Sequence, residues 1–331
     1  MTGFLENFWV RTGARLHFGQ LDLNGSLGRI YGGIGLAIDE PYLEIIVEKS
    51  EELSLISSDK DNKRVEKIAR KYLEFYELPG VKIKVIQALP SHSGLGSGTQ
   101  LSLALGFAIT QVYGLQPPLA ELACVTDREG SRSGIGVAAF ENGGFIVDGG
   151  KQKEIVDIGN DCKFQIPPLL ARFPFPEEWA IILALPYNTE KMFGSKEDRT
   201  FKSLPLMDEQ ISGKICRHLL MKLLPSLIEK DLGSFGQAIS EIQKQLGNYF
   251  ATVQGGIFAS ELGYGLAEHM LAQGAVGIGQ SSWGPTVYGF TTQDKKTQLL
   301  ESTRKLLGDY GRVWSARGIN HGADWGWNKE Y

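Results

Sequence analysis

The sequence predicts an α+β protein built in two halves. Three observations carry that expectation: segments of strand period and helix period alternate through residues 1–166, four prolines crowd residues 167–176, and a fresh set of strand and helix patterns starts beyond them. The expected units are 1–166 and 177–331, with the proline-rich stretch as their boundary.

The elements follow in order. "ARLHFG" alternates Leu16 and Phe18 against Arg15 and His17, so a strand there turns its polar pair away from the core. "YLEIIVEKS" and "EELSLIS" are further strands. Between residues 60 and 77, Val65, Ile68, Ala69, Tyr72, Leu73 and Tyr76 repeat every three or four positions, the stripe of an amphipathic helix. "VKIKVIQALP" then alternates again and delivers a half-buried strand to a glycine turn and an apolar helix. Pro117 and Pro118 open another helix, where a missing N–H costs little. "GGFIVDGG" and "KEIVDIG" close the first half as short strands. In the second half, "AIILALP" is a buried strand, and Leu232, Phe235, Ile239, Ile242 and Leu246 form a helical core stripe. "GAVGIGQSSWGPTVYGF" predicts strand, glycine turn, strand, and "GRVWSARGIN" a last strand after a helix near 294–308.

Composition narrows the function classes. The chain has 331 residues, 42% of them hydrophobic, and a formal net charge of -4. That balance disfavours a broad nucleic-acid or membrane surface, so any anion binding is expected to be focal. Cys124, Cys162 and Cys216 are widely spaced and odd in number, which suggests neither a disulfide framework nor a structural zinc site. There is no basic start followed by an apolar run, and no stretch of about twenty apolar residues, so a cytoplasmic protein is expected.

The stretch "LPSHSGLGSGTQ", residues 89–100, carries the chemistry. Gly94, Gly96 and Gly98 with Ser93 and Ser97 let backbone N–H groups converge, and the following helix adds its unsatisfied N–H groups and positive end. Ser93, Gly94, Leu95, Gly96, Ser97, Gly98 and Thr99 are thus the expected anion cradle, against the plainer reading of a glycine turn that only permits close packing. No Lys-Ser/Thr follows the glycines, and Thr99 stands where a dinucleotide fingerprint needs its third glycine.

"PSHSGLGSGTQ" resembles the phosphate-binding signature of the GHMP kinase superfamily, and "GIGQSSWGPTVYGF", residues 277–290, resembles its C-terminal glycine motif. The resemblance implies a GHMP kinase-like two-lobed fold: an N-terminal lobe like ribosomal protein S5 domain 2, a ferredoxin-like C-terminal lobe, and a cleft between them. In "SRSGIGVAAFENGG", Ile135 and Gly136 stand near the place where many of these kinases carry an aspartate, and Glu141 is displaced from it. Meanwhile "ARLHFGQLDL", "YGGIGLAID", "SRSGIGVAAFENGGFIVDGG" and "NHGA" are similar, over essentially the whole chain, to the beta-ribofuranosylaminobenzene 5'-phosphate synthase family of methanopterin biosynthesis.

That second resemblance implies a transferase joining phosphoribosyl pyrophosphate to 4-hydroxybenzoate or 4-aminobenzoate, with loss of pyrophosphate and carbon dioxide. It implies a magnesium ion, no ATP requirement and a homodimer. The cradle and magnesium would receive the pyrophosphate, the ribose 5'-phosphate needs a second anion site, and Arg15, Arg29, Arg128 and Arg132 are its candidates. A base near the ring's hydroxyl or amino group would help, with His17 and His92 as candidates, Arg15 beside them, and His321, next to Asn320, as a third. Each histidine has the alternative of a structural hydrogen-bonding role. Ser281, Ser282 and Trp283 are expected at the substrate, although Trp283 could equally pack between lobes. Asp22 and Asp148 could ligate magnesium or serve as local hydrogen-bond partners. Two other functions stay open: an ATP-dependent small-molecule kinase, and a ligand-binding relative without catalysis.

Overall fold

The computed structural model describes residues 6–56, 62–126, 133–154, 166–187 and 204–328. Two long strands, β1 (Asn7–Asp22) and β2 (Arg29–Ser50), form an antiparallel hairpin whose register runs from Asn7↔Glu48 to Asp22↔Tyr31. The first sheet grows around it, with β12 (Asp324–Trp327) beside β1 and with β3 (Ser54–Ile56) and β4 (Gly80–Gln87) on the other side, in the order β12-β1-β2-β4-β3. β5 (Phe145–Asp148) and β6 (Lys151–Gln152) pair with β2 further along, and β7 (Leu169–Phe173) pairs with β5.

Helices cover one face of this sheet. α1 (Asn62–Phe75) buries Val65, Ile68, Ala69, Tyr72 and Leu73, the stripe read from spacing. α2 (Ser97–Val112) is different in kind: apolar all round, it is buried on most sides and runs through the middle of the lobe. α3 (Leu119–Val125) starts directly after Pro118, and α4 (Ile135–Asn142) packs on β1, β2 and α2.

The second sheet has the order β11-β8-β10-β9, from β8 (Trp179–Pro186), β9 (Gly277–Gln280), β10 (Val287–Thr292) and β11 (Gly311–Ala316). All its pairings are antiparallel. Between β8 and β9 lie α5 (Glu209–His218), α6 (Leu224–Ile228), α7 (Leu232–Gln254) and α8 (Glu261–Ala272), and α9 (Lys296–Leu307) precedes β11. Strand, helices, strand, strand, helix, strand with the first strand beside the last is the ferredoxin-like arrangement.

One aromatic core joins the two sheets. Phe18 of β1 stands 5.3 Å from Tyr288 and 6.0 Å from Phe290 of β10, ring centre to ring centre, and Phe235 of α7 packs edge-on to Phe290 at 5.2 Å. Leu16 and Phe18 face this core as their alternation requires.

Two local expectations change. Pro168 and Pro174 bracket β7 instead of interrupting regular structure, and β7 belongs to the first sheet while β8 opens the second. β6 lies just before the strand expected at "KEIVDIG", and residues 155–159 of that stretch lie outside the described ones. The chain also does not end on β11: β12 (Asp324–Trp327) returns to the first sheet and pairs with β1. Among the described residues no helix is long and apolar enough to cross a membrane.

Candidate functional site

β4 hands the chain to the glycine loop, and the loop's conformation needs its glycines. Gly94 and Gly96 both have φ of 78°, in the left-handed region. A β-carbon at Gly94 would lie 2.2 Å from the Ser281 carbonyl oxygen, and one at Gly96 would lie 2.8 Å from Arg15 Cγ. Backbone therefore approaches backbone at Gly94, and the Arg15 side chain lies across Gly96.

The loop and the second glycine motif are bolted together. Ser281 Oγ donates to the Gly94 carbonyl at 2.7 Å and accepts from His17 N–H at 3.0 Å, while Ser282 N–H donates to His17 O at 2.9 Å. Thr286 donates to the Ser93 carbonyl through Oγ1 at 2.7 Å and through N–H at 3.3 Å. Arg15 Nη1 also donates to the Gly94 carbonyl, and Arg15 N–H to Leu95 O. With their carbonyls held from behind, the loop residues keep their N–H groups forward. Among the described residues the N–H groups of Leu95, Gly96, Ser97 and Gly98 have no acceptor, and the Gly96 cap of α2 makes no side-chain bond. Four unpaired donors at the start of a buried helix are chemically suited to an anion.

Other expected residues have different work. Ser93 spends its hydroxyl on Pro90 O, and Leu95 is a fully buried anchor that offers the site only backbone. Ser281 is buried and braces the loop, whereas Ser282 is exposed with φ of 57°. Trp283 is buried against Phe250 of α7, ring centres 4.7 Å apart, as its packing alternative expects. Thr99 packs on Gly136, so the start of α4 adjoins the start of α2. His92 is exposed on the loop with φ of 53°.

His17 is poorly equipped to be the base. Burial, aided by the Arg15 charge, lowers its pKa to about 3, and Nδ1 accepts from Gly19 N–H at 3.1 Å. The ring is neutral with its proton on Nε2, wedged in the seam between the two glycine motifs. Asn320 and His321 lie at the far end of α4. Asn320 clips to Phe175 through both amide atoms, at 2.7 and 3.0 Å, and the His321 carbonyl packs against Gly143. Glu141 is at that same remote end, its carbonyl against Gly322. Arg29 lies apart from the loop, holding Gly149 and Gly150, and Arg128 and Arg132 fall outside the described residues.

One group escaped the sequence reading, and another, Asp148, takes the hydrogen-bonding role that the sequence left open beside a magnesium one. Gln100, fully buried, accepts from Thr12 Oγ1 at 2.7 Å and donates to Gly136 O at 2.8 Å, tying β1, α2 and α4 together. A lone amide in the apolar run after the loop was its signal. Asp148 places a carboxylate beside Ile135 after all, where Ser133 Oγ, Gly134 N–H and Gly150 N–H each donate to it at 2.9 Å. Burial pushes its carboxyl above the usual carboxylate range, against these bonds and one from Gly33 that pull it down. Asp22 likewise serves a turn, accepting from Asn24 and Gly25 N–H and from Ser212 Oγ. Among the described residues no group of three or more His, Cys, Asp or Glu side chains gathers as metal ligands would.

Known proteins share these features. Residues 63–144 match the GHMP kinases N terminal domain and residues 223–307 the GHMP kinases C terminal domain. Among solved structures, the mevalonate kinase of L. major superposes with a TM-score of 0.69 at 14% identity, over 94% of this chain and 96% of that one. The homoserine kinase of Cytophaga hutchinsonii gives 0.67 at 17%, over 98% of each chain, and both show the fold alone. Beta-ribofuranosylphenol 5'-phosphate synthase of Archaeoglobus fulgidus is 40% identical over 85% of this chain and 87% of its own. The protein of the same name in Methanothermobacter thermautotrophicus is 35% identical over 95% and 97%. With sequence likeness along nearly its whole length and both kinase-fold lobes present, the chain belongs to the beta-ribofuranosylphenol 5'-phosphate synthase family, a family of enzymes on the GHMP kinase fold.

Proposed function

We propose that this enzyme condenses phosphoribosyl pyrophosphate with 4-hydroxybenzoate or 4-aminobenzoate in methanopterin biosynthesis. The ring carbon bearing the carboxylate bonds to ribose C1 as the C1–O bond breaks, and pyrophosphate leaves with that electron pair. The ring then loses carbon dioxide and regains aromaticity. The observation that carries this reading is the open start of α2, with four unpaired N–H groups and Arg15 lying over Gly96. Donors fixed in place before charge develops stabilise a leaving pyrophosphate without reorganising. Magnesium would arrive on the pyrophosphate oxygens, which need few protein carboxylates, and would neutralise their charge.

His17 acts here as a strut that sets Arg15 and the loop in register, since it stays neutral at any physiological pH. His92, exposed at the loop, is the candidate for taking the proton from the ring's hydroxyl or amino group. The same reading takes the enzyme to be a cytoplasmic homodimer that needs no ATP. The deciding experiment supplies carboxyl-labelled 4-hydroxybenzoate or 4-aminobenzoate with phosphoribosyl pyrophosphate and magnesium, without ATP. Labelled carbon dioxide should appear in step with pyrophosphate and require both substrates. Folded enzyme that releases none, or releases it only with ATP, would overturn the proposal.

A further inference from the structure

A second cationic place lies away from the loop. Arg29, Gly150, Lys151, Gln152, Ile166, Pro167 and Pro168 line a cavity of about 210 Å³. The guanidinium of Arg29 is fixed at its edge by two bonds, Nε to Gly149 O at 2.8 Å and Nη2 to Gly150 O at 2.7 Å. Those carbonyls owe their position to Gly150, whose φ is 61° and where a β-carbon would lie 2.2 Å from Ile30 O. Among the described residues no carboxylate pairs with Arg29. Of its five N–H donors, the three not bonded to these carbonyls remain for a ligand.

Position relates this cavity to the loop. Its wall residue Pro167 packs against Gly134 at the start of α4, and two residues on, Gly136 packs against Thr99 of the loop. One short helix start therefore separates the two anion-seeking places.

We infer that the Arg29 cavity holds the 5'-phosphate end of the ribosyl substrate while the loop holds the pyrophosphate, an assignment that rests on the proposed function. A group that survives the reaction unchanged is the one a fixed arginine can grip without cost to the rate, since the grip is equal before and during the chemistry. The aromatic carboxylate does not fit this description: a guanidinium clamp would stabilise the very group that must leave as carbon dioxide. Size agrees, because the cavity is smaller than the roughly 300–1,000 Å³ of pockets that enclose a whole ligand.

Two variants test it. Arg29→Gln removes the charge but keeps an amide for the carbonyls. Gln152→Glu, at an exposed position directly across the β2–β6 ladder from Arg29, adds a carboxylate beside the cavity without touching the fold. Calorimetry with ribose 5-phosphate, with magnesium pyrophosphate and with 4-hydroxybenzoate should show ribose 5-phosphate binding at least tenfold weaker in both variants. Pyrophosphate binding should stay within twofold of wild type. If Arg29→Gln fails to fold, Gln152→Glu decides alone. Unchanged ribose 5-phosphate binding, no binding of it by wild type, or selective loss of 4-hydroxybenzoate would each overturn the assignment. Turnover is not among these readouts, so a failed condensation reaction with ribose 5-phosphate binding still lost in the variants would leave the subsite standing.

Discussion

Two helix starts meet in the first lobe, and they are opposites. α2 begins with glycine in the left-handed region and leaves four N–H groups without acceptors, while α4 begins a van der Waals contact away with its first two N–H groups already taken by side-chain oxygens. Asp148 and Ser133 take the N–H groups of Gly134 and Ile135. Both ends have the positive pole of a helix, so the dipole alone does not make a site. What distinguishes them is whether the protein supplies an anion itself: α4 carries its own carboxylate, and among the described residues α2 has none.

The largest expected effect comes from removing that internal carboxylate. Asp148→Ala would leave the Ser133 hydroxyl and the Gly134 and Gly150 N–H groups without their acceptor in a buried place. A loss of about 3 kcal/mol of unfolding free energy is expected from orphaned buried donors. Pyrophosphate affinity, measured by calorimetry on the folded fraction, should move less than threefold. A variant as stable as wild type but unable to bind pyrophosphate would reverse the roles of the two helix starts.

The opposite pattern is expected at the open end. Gly96→Ala forces a residue at φ of 78° and sets a methyl group 2.8 Å from Arg15 Cγ, a flexible atom that can shift. The fold should survive and kcat/KM should fall about a hundredfold, or about 2.7 kcal/mol of transition-state stabilisation. Steady-state kinetics beside a thermal melt would separate the two effects. Full activity in the alanine variant would mean that the loop is only a packing turn.

The open end was legible in the sequence, whereas the closed one showed only its carboxylate and not the helix it caps, for a physical reason. Gly94, Gly96 and Gly98 act through local backbone freedom, and local freedom is written in consecutive letters. Alternation likewise told that Leu16 and Phe18 face one way and His17 the other. It could not tell that a second glycine motif, with Ser281, packs over the His17 face and makes it a buried strut. Asp148 joins α4 from a neighbouring strand, Trp283 finds Phe250, and Asn320 clips to Phe175 across 145 positions of chain. The return of β12 to β1 is a pairing between the two ends of the molecule. Side-chain period announces a face but never names what covers it.

His17 ties the comparison to pH. In the folded protein it binds a proton only near pH 3, whereas an unfolded histidine does so near 6.5. Below about 6.5 the unfolded state therefore binds more protons, and stability falls as the pH drops toward 3. Between pH 7.5 and 5.5 the wild type should lose about 1.4 kcal/mol more than His17→Asn, read from urea midpoints. Equal losses would mean that the seam between the glycine motifs opens enough to protonate the ring.

The smallest effect expected belongs to Ser97, which separates backbone from side chain at the open start. Its hydroxyl is nearly buried at the first position of α2 and has no hydrogen-bond partner among the described residues. A pyrophosphate seated on the four N–H groups would lie within reach of it. Ser97→Ala should weaken pyrophosphate binding about fivefold, close to 1 kcal/mol, the scale of one hydrogen bond exchanged with water. Calorimetry at fixed magnesium measures it directly. Unchanged affinity would assign the cradle to backbone alone, in contrast to α4, where side-chain oxygens accept from the first N–H groups of the helix.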